Sequence, residues 1–347
     1  MRCGAGGGHA AVGDAAIDDV WREVLASAGE TRFTGYDRED GKAKLAVLVH
    51  EGKIVEQASA GARISFVTPE TPFYAESGGQ VGDRGVAKTA SAVIDIEATD
   101  RPIAGLTVHH GSVREGEVRT GEELSLTVDN ALRQATRRNH SATHLLHWAL
   151  RTVLGAQATQ KGSLVGPDRL RFDFSHGKPV TDEELRRIED LVNDKILQNA
   201  PVMTEVLPIE TARSRGAVAM FGEKYGDVVR VLTMTTDSVE FCGGTHARAL
   251  GDIGLFKILS EGGVAAGVRR IEGATGKNSI AFLRELETTV ASAAKALKSN
   301  PSDLVEKTTR LAEHAKSLEK EVADLKRKVA LGGGAGEGGG GGGLEAK

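Results

Sequence analysis

The chain has 347 residues, 40% hydrophobic and 27% charged, a balance that excludes wholesale disorder. It has no apolar run near the ~18 residues of a membrane span, which excludes an integral membrane protein. Lys+Arg 44 against Asp+Glu 48 leaves a net charge of -4, so any nucleic-acid role must rest on local basic clusters.

Residues 1–29 read as a Gly/Ala-rich tail leading into a short amphipathic helix, Asp14 to Ala28, ended by Gly29. The tail lacks the apolar stretch of a secretory signal. Residues 30–130 change to short β-rich runs, among them Lys44–Val49, Arg63–Val67, Ser91–Ile96 and Glu123–Val128. They are separated by breaks such as Asp40-Gly41, Glu51-Gly52 and Gly82-Asp83. Runs at this spacing predict a small antiparallel β-barrel or sandwich.

Residues 131–275 read as an α+β domain. It opens with a strong helix, Asn130 to Gly155, followed by a strand at Leu170–Phe174. A second helix from Thr181 to about Asn199 starts at the capping box Thr181-Asp-Glu-Glu184 and stops before Pro201. Strands follow at Val202–Pro208, Val228–Met234 and Ser238–Phe241. Residues 276–330 are helical, broken at Asn300-Pro301, where Asn is placed to cap and Pro to open a new helix. Leu304, Leu311, Leu318 and Leu325 recur every seven residues, with Thr308, Ala315, Val322 and Val329 four after each. That a/d seam predicts an antiparallel helical hairpin, or equally a contact with a second subunit. Residues 331–347 are a nearly pure glycine linker, which marks the chain as a fragment with a domain missing beyond it.

The chemistry-bearing residues fall in two stretches. His140-Ser-Ala-Thr-His144 puts two imidazoles one helical turn apart on one face, and Cys242-Gly-Gly-Thr-His246 follows a strand with a Gly pair that lets the chain turn tightly. Nitrogen and sulfur donors of this kind suit Zn²⁺. His147 lies on the same stripe and is an alternative ligand. No Glu stands between His140 and His144 as a protease base, and there is no P-loop, nucleophile elbow or kinase set. The two cysteines, Cys3 and Cys242, cannot make a disulfide framework, which points to a reducing cytoplasm. The Gly-rich stretch Phe73–Gly85 permits close backbone approach to a ligand, or serves as a hairpin turn. Arg133, Arg137, Arg138, Arg269 and Arg270 are candidates for phosphate contacts.

Taken together, Thr31–Tyr36, Phe73–Asp83, Arg137–His147, Gly162–Val165, Leu170–His176, Phe221–Gly226, Phe241–His246, Gly254–Lys257 and Ala265–Glu272 resemble the editing half of the alanyl-tRNA synthetase family. Free-standing alanyl-tRNA editing proteins are similar in the same core. The resemblance implies that His140, His144, Cys242 and His246 bind zinc and form a hydrolytic centre. It also implies that Gln160, Thr143, Gly78, Gly79, Gln80 and Arg269 line a substrate site. The implied partner is the acceptor end of tRNA(Ala), the implied reaction hydrolysis of its seryl or glycyl ester, and a homodimer through the helical hairpin is expected. ATP and alanine belong to an aminoacylation domain outside these motifs, so no tRNA charging is expected.

Overall fold

In the computed structural model, residues 11–218 and 226–332 are described. The first ten residues with Cys3, most of the Phe221–Gly226 motif and the glycine tract past Gly332 lie outside that description. The chain forms two compact units, residues 1–280 and 281–347.

In the first unit, helix α1 (Ala11–Ala28) ends at Gly29. That residue takes φ +75° and donates its N–H to the Leu25 carbonyl at 2.9 Å. An antiparallel sheet of eight strands follows. Its order is Asp40–Lys44, Glu123–Val128, Gly85–Lys88, Val93–Asp100, Val108–Glu115, Arg63–Val67, Val47–His50, Lys53–Val55. Asp40–Lys44 and Val47–His50 are neighbours in the chain yet stand near opposite margins, so the sheet is curled. Leu45 donates to the Glu122 carbonyl and Ala46 to that of Val67, each at 2.9 Å, as the chain crosses. Alternation along the strands sends Leu48, Ile64, Phe66, Ile94, Ile96, Leu124 and Leu126 into one apolar core. Trp21 and Val24 of α1 cover a second cluster with Val47, Val49, Val67, Leu106 and Val108.

Helix α2 (Asn130–Leu154) is the axis of the site, 25 residues and about 37 Å long. Asp129 caps it by accepting from Leu132 N–H. From Asn139 to His147 every residue is buried, so this stretch is enclosed on all sides, unlike an ordinary surface helix. Ala142, Leu145, Leu146, Ala149 and Leu150 pack with Ile188, Val192 and Ile196 of α3 (Asp182–Leu197) and with Phe172, Phe174, Phe256 and Ile271. These last four come from a four-stranded antiparallel sheet, ordered Gln160–Val165, Leu170–Ser175, Val268–Thr275, Phe256–Ala265. The Thr181/Glu184 capping box forms as the sequence predicts. A three-stranded sheet of Met203–Pro208, Val228–Thr235 and Ser238–Phe241, with the short helix α4 (Ile209–Ser214), carries the chain to Cys242.

Helix α5 (Gly276–Ala296) leads out of the first unit, and α6 (Leu304–Gly332) lies in the second. A 3₁₀ turn, Pro301–Asp303, precedes α6, and the Asn300 side chain bonds to Asp303 rather than capping the backbone. The hairpin expected of these helices would bury the heptad seam. In the second unit Leu311, Leu318, Val322 and Leu325 are instead 45–52% exposed, so the single chain leaves the seam open. Among the described residues no helix is long and apolar enough to cross a membrane.

Candidate metal centre

Two elements deliver the four predicted ligands. On α2, His140 and His144 sit one turn apart with ring centroids 5.2 Å from each other. After the strand Ser238–Phe241 the chain turns through Gly243 and Gly244, placing Cys242 and His246 opposite them. The candidate ligand atoms of all four residues lie within 4.8 Å of one another. Cys242 Sγ is 3.5 Å from His140 Nε2 and 3.3 Å from His246 Nε2. Two donor atoms bound to one zinc at tetrahedral angles stand roughly 3.5 Å apart. The imidazoles are buried and Cys242 is half-buried.

Each ring uses its other nitrogen elsewhere. His140 Nδ1 meets Gln80 Oε1 at 2.8 Å, His144 Nδ1 meets Glu240 Oε2 at 2.7 Å, and His246 Nδ1 meets Ser141 Oγ at 3.3 Å. This is how metal-binding histidines are oriented, with Nδ1 held and Nε2 free. His144 Nε2 is buried without a hydrogen-bond partner, a costly state for a polar nitrogen unless an ion takes its lone pair. The donor set and this unpartnered nitrogen fit a metal ion.

The electrostatics of Cys242 and His246 point the same way. Burial pushes the Cys242 thiol up, but the three imidazoles override it and hold the group well below the usual thiol range, toward the thiolate that binds metal. Burial, together with His140, lowers His246 to about 3, leaving it neutral as a ligand must be. Burial also works against ionised Glu240, yet the adjacent His144 holds its carboxyl below the ordinary range. Against the effect of burial, Glu240 in return raises His144 to about 10, so an ion binding there must displace the proton of that ring.

The turn bearing Cys242 is pinned from outside. Arg230 donates to the Cys242 and Gly244 carbonyls at 3.0 and 2.9 Å while lying 4.0 Å over the Tyr36 ring. Tyr36 OH donates to the Gly243 carbonyl at 2.6 Å. Sequence reasoning missed Arg230, Glu240 and Ser141. The position of Glu240 near the end of the strand, two residues before Cys242, was the available signal for one of them.

The other candidates are distributed less simply. His147 does not join the cluster; its Nδ1 lies 3.6 Å from Glu240 Oε1. Gln160 is half-buried at the start of its strand, and its Oε1 has no partner. Thr143 is buried, donating to the Asn139 carbonyl. Gly78 and Gly79 take φ +58° and +81° in the turn that presents Gln80, whose side chain is wholly buried behind His140. Arg269 is clamped by both oxygens of Glu261 at 2.6 Å, and Arg270 by Asp173. Arg133 and Arg137 are buried against Asp83 and Glu39, and Arg138 donates to the Asp252 carbonyl. The arginines offered for phosphates thus serve mainly inside the fold.

Comparison with known proteins was made against this geometry. Residues 9–132 match a family profile described as tRNA synthetases class II (A), and residues 229–272 one described as threonyl and alanyl tRNA synthetase second additional domain. The second contains Cys242 and His246. An alanine–tRNA ligase of Sorangium cellulosum (strain So ce56) is 53% identical over 345 residues, covering 96% of this chain and 38% of that protein. Those of Chelativorans sp. (strain BNC1) and Sinorhizobium medicae (strain WSM419) are 50% and 48% identical, covering 93% and 92% of this chain. The chain spans a little over a third of the length of these relatives.

Proposed function

Because the chain belongs by sequence to the alanyl-tRNA synthetase family, we propose that His140, His144, Cys242 and His246 hold zinc in an editing centre. The centre hydrolyses the ester of tRNA(Ala) mischarged with serine or glycine. The observation that carries the reading is the convergence of three imidazoles and one thiol from stretches about a hundred residues apart, with His144 Nε2 buried and unpartnered. Serine and glycine differ from alanine by one hydroxyl or one methyl, which a charging pocket discriminates only about 10- to 200-fold, so a second, hydrolytic pocket is the physical remedy.

Zinc bound here supplies an electrophile that polarises the ester carbonyl or anchors the substrate's amino group. The chain's own residues do the rest. Gln80, Glu240 and Ser141 hold the rings, and Arg230 with Tyr36 holds the Cys242 turn. Gln160 is the specificity residue of this reading, since its unpartnered Oε1 can accept from a seryl hydroxyl. Thr143, beside His144 on α2, is a further substrate residue of this reading. Gly79 is packed against Ser163 and Arg269 is held by Glu261, while Gly78 is exposed in the same turn.

The test mixes the purified chain with Ser-tRNA(Ala) and Ala-tRNA(Ala), with metal content measured on the same sample. Serine is released faster than alanine if the reading holds; equal inertness towards both, with zinc bound, overturns it.

A second reading rests on the exposed seam of α6. Leu311, Leu318, Val322 and Leu325 form an apolar stripe suited to another copy of the chain, giving a dimer that binds tRNA whether or not it turns over. Sedimentation at several concentrations separates the cases, and a monomer at every concentration removes the dimer.

A further inference from the structure

Among the groups that hold the three imidazoles, Gln80 stands apart. Ser141 and Glu240 lie within a few residues of the ligands in sequence, whereas Gln80 comes from 60 residues before His140, in the loop that precedes the strand Gly85–Lys88. It has no exposed surface. Its Oε1 accepts from Thr245 N–H at 2.9 Å and lies 2.8 Å from His140 Nδ1, while its Nε2 donates to Thr245 Oγ1 at 2.9 Å.

These contacts fix a tautomer. A backbone N–H can only donate, so the amide atom facing Thr245 N is the oxygen, and the amide has one permitted orientation. That oxygen can only accept, so His140 Nδ1 carries the proton. His140 Nε2, 3.5 Å from Cys242 Sγ, is therefore the nitrogen left to face the cluster.

We propose that Gln80 is a positioning residue for the metal centre. It locks His140 in the tautomer and ring orientation that present Nε2 to the ion, and so sets how tightly the ion is held. This rests on the cluster being the metal site described above.

The backbone on both sides is shaped for that approach. A Cβ on Gly79 would stand 2.4 Å from Ser163 Oγ and 2.7 Å from the Ser163 carbonyl oxygen. Gly79 O accepts from Val165 N–H at 2.7 Å, and Val165 O from Val81 N–H at 3.0 Å, so the loop is stitched to the strand Gln160–Val165 on either side of Gln80. Across the contact, a Cβ on Gly244 would lie 2.1 Å from His140 Cε1 and 2.9 Å from Gln80 Oε1. Gly79 before Gln80 and Gly244 after Cys242 are the two halves of one packed junction.

The experiment compares the full chain with Gln80→Met, which keeps the side chain's length but cannot accept a hydrogen bond, and Gln80→Glu, which keeps the acceptor. Zinc affinity is read by competition with a chromophoric chelator, the ligand set by the absorption of the cobalt-substituted protein, and folding by circular dichroism. Q80M binds zinc about 10- to 100-fold more weakly, with an altered cobalt spectrum, while Q80E stays within a few-fold of the parent. A folded Q80M with parental affinity and spectrum overturns the proposal, as does a Q80E that falls as far as Q80M. If Q80M does not fold, Q80E decides: parental affinity supports the proposal and a loss of about 10-fold or more overturns it. A parent chain that binds neither ion removes the metal reading itself, and this inference with it.

Discussion

The first unit buries histidines in two places, for opposite reasons. In the curled sheet His109 is fully enclosed, stacked on Phe66 at 4.7 Å with the Phe73 ring edge-on at 5.4 Å. Both of its nitrogens are engaged, Nε2 with Thr71 Oγ1 at 2.8 Å and Nδ1 with the Phe66 carbonyl at 3.2 Å. Nothing is left for a ligand. Around Cys242 each imidazole has Nδ1 held and Nε2 aimed at a shared point, and that of His144 has no partner at all. Residue type and burial are the same in both regions. What separates a packing histidine from a candidate ligand is the account of its second nitrogen.

The largest effect expected from this difference follows removal of metal. With zinc supplied at about 10,000 times its Kd, chelation should lower amide protection in α2, around His140–Ala149, by about 10,000-fold. The sheet strands Val93–Asp100 and Val108–Glu115, with no ligand among them, should keep far more of theirs. Hydrogen exchange read by mass spectrometry resolves the two regions, and an equal fall in both would break the distinction.

How much of this was legible in the sequence follows from the range of each interaction. Helix α2, the Thr181 cap and the spacing of His140 with His144 depend on neighbours within a turn, and the sequence displays them directly. The long hairpin Phe256–Ala265 with Val268–Thr275 is hard to see as strands in the sequence, because its Gly-rich middle, Gly262 to Gly267, carries no two-residue alternation. The arginines misled for a related reason. Arg269 lies opposite Gly263 in the hairpin register, close enough for its guanidinium to reach Glu261, but no local pattern announces a partner on another strand. Likewise Gln80 reads as a loop residue free to meet a ligand until the fold places His140 and Thr245 against it.

Next in size is the joint between the two regions. Arg133, near the start of α2, is fully buried, its guanidinium paired with Asp83 and donating to the Gly35 and Pro72 carbonyls at 2.8 and 2.7 Å. Asp83 also accepts from Tyr74 N–H at 2.6 Å. Arg133→Met strands the Asp83 charge and should cost about 3–5 kcal/mol in chemical denaturation. Replacing both partners by apolar residues should recover much of that, since the uncompensated charge, rather than the lost attraction, is the main penalty. A cost below about 1 kcal/mol for the single variant would mean that the two regions are joined by apolar packing alone.

The smallest effect is set by acid and returns to His109. Burial holds its pKa down at about 4, only partly offset by its bond to the Phe66 carbonyl, against an ordinary value of 6.5. On acidification the unfolded chain takes up the proton first, so acid favours unfolding through this residue. Its contribution is flat above about pH 6.5, falls between there and about pH 4, and levels off below, a total of roughly 3 kcal/mol. His109→Gln keeps an amide able to donate to Phe66 O and accept from Thr71 but cannot titrate. The difference in unfolding free energy between parent and His109→Gln, measured by denaturant titration from pH 8 to pH 4, should shrink or change sign as pH falls. Subtracting the two curves cancels the carboxylates and the Cys242 cluster, which both proteins share. A difference that stays constant over that range would show that His109 accepts its proton without leaving the sheet, and the contrast with the candidate-ligand histidines would then rest on geometry alone.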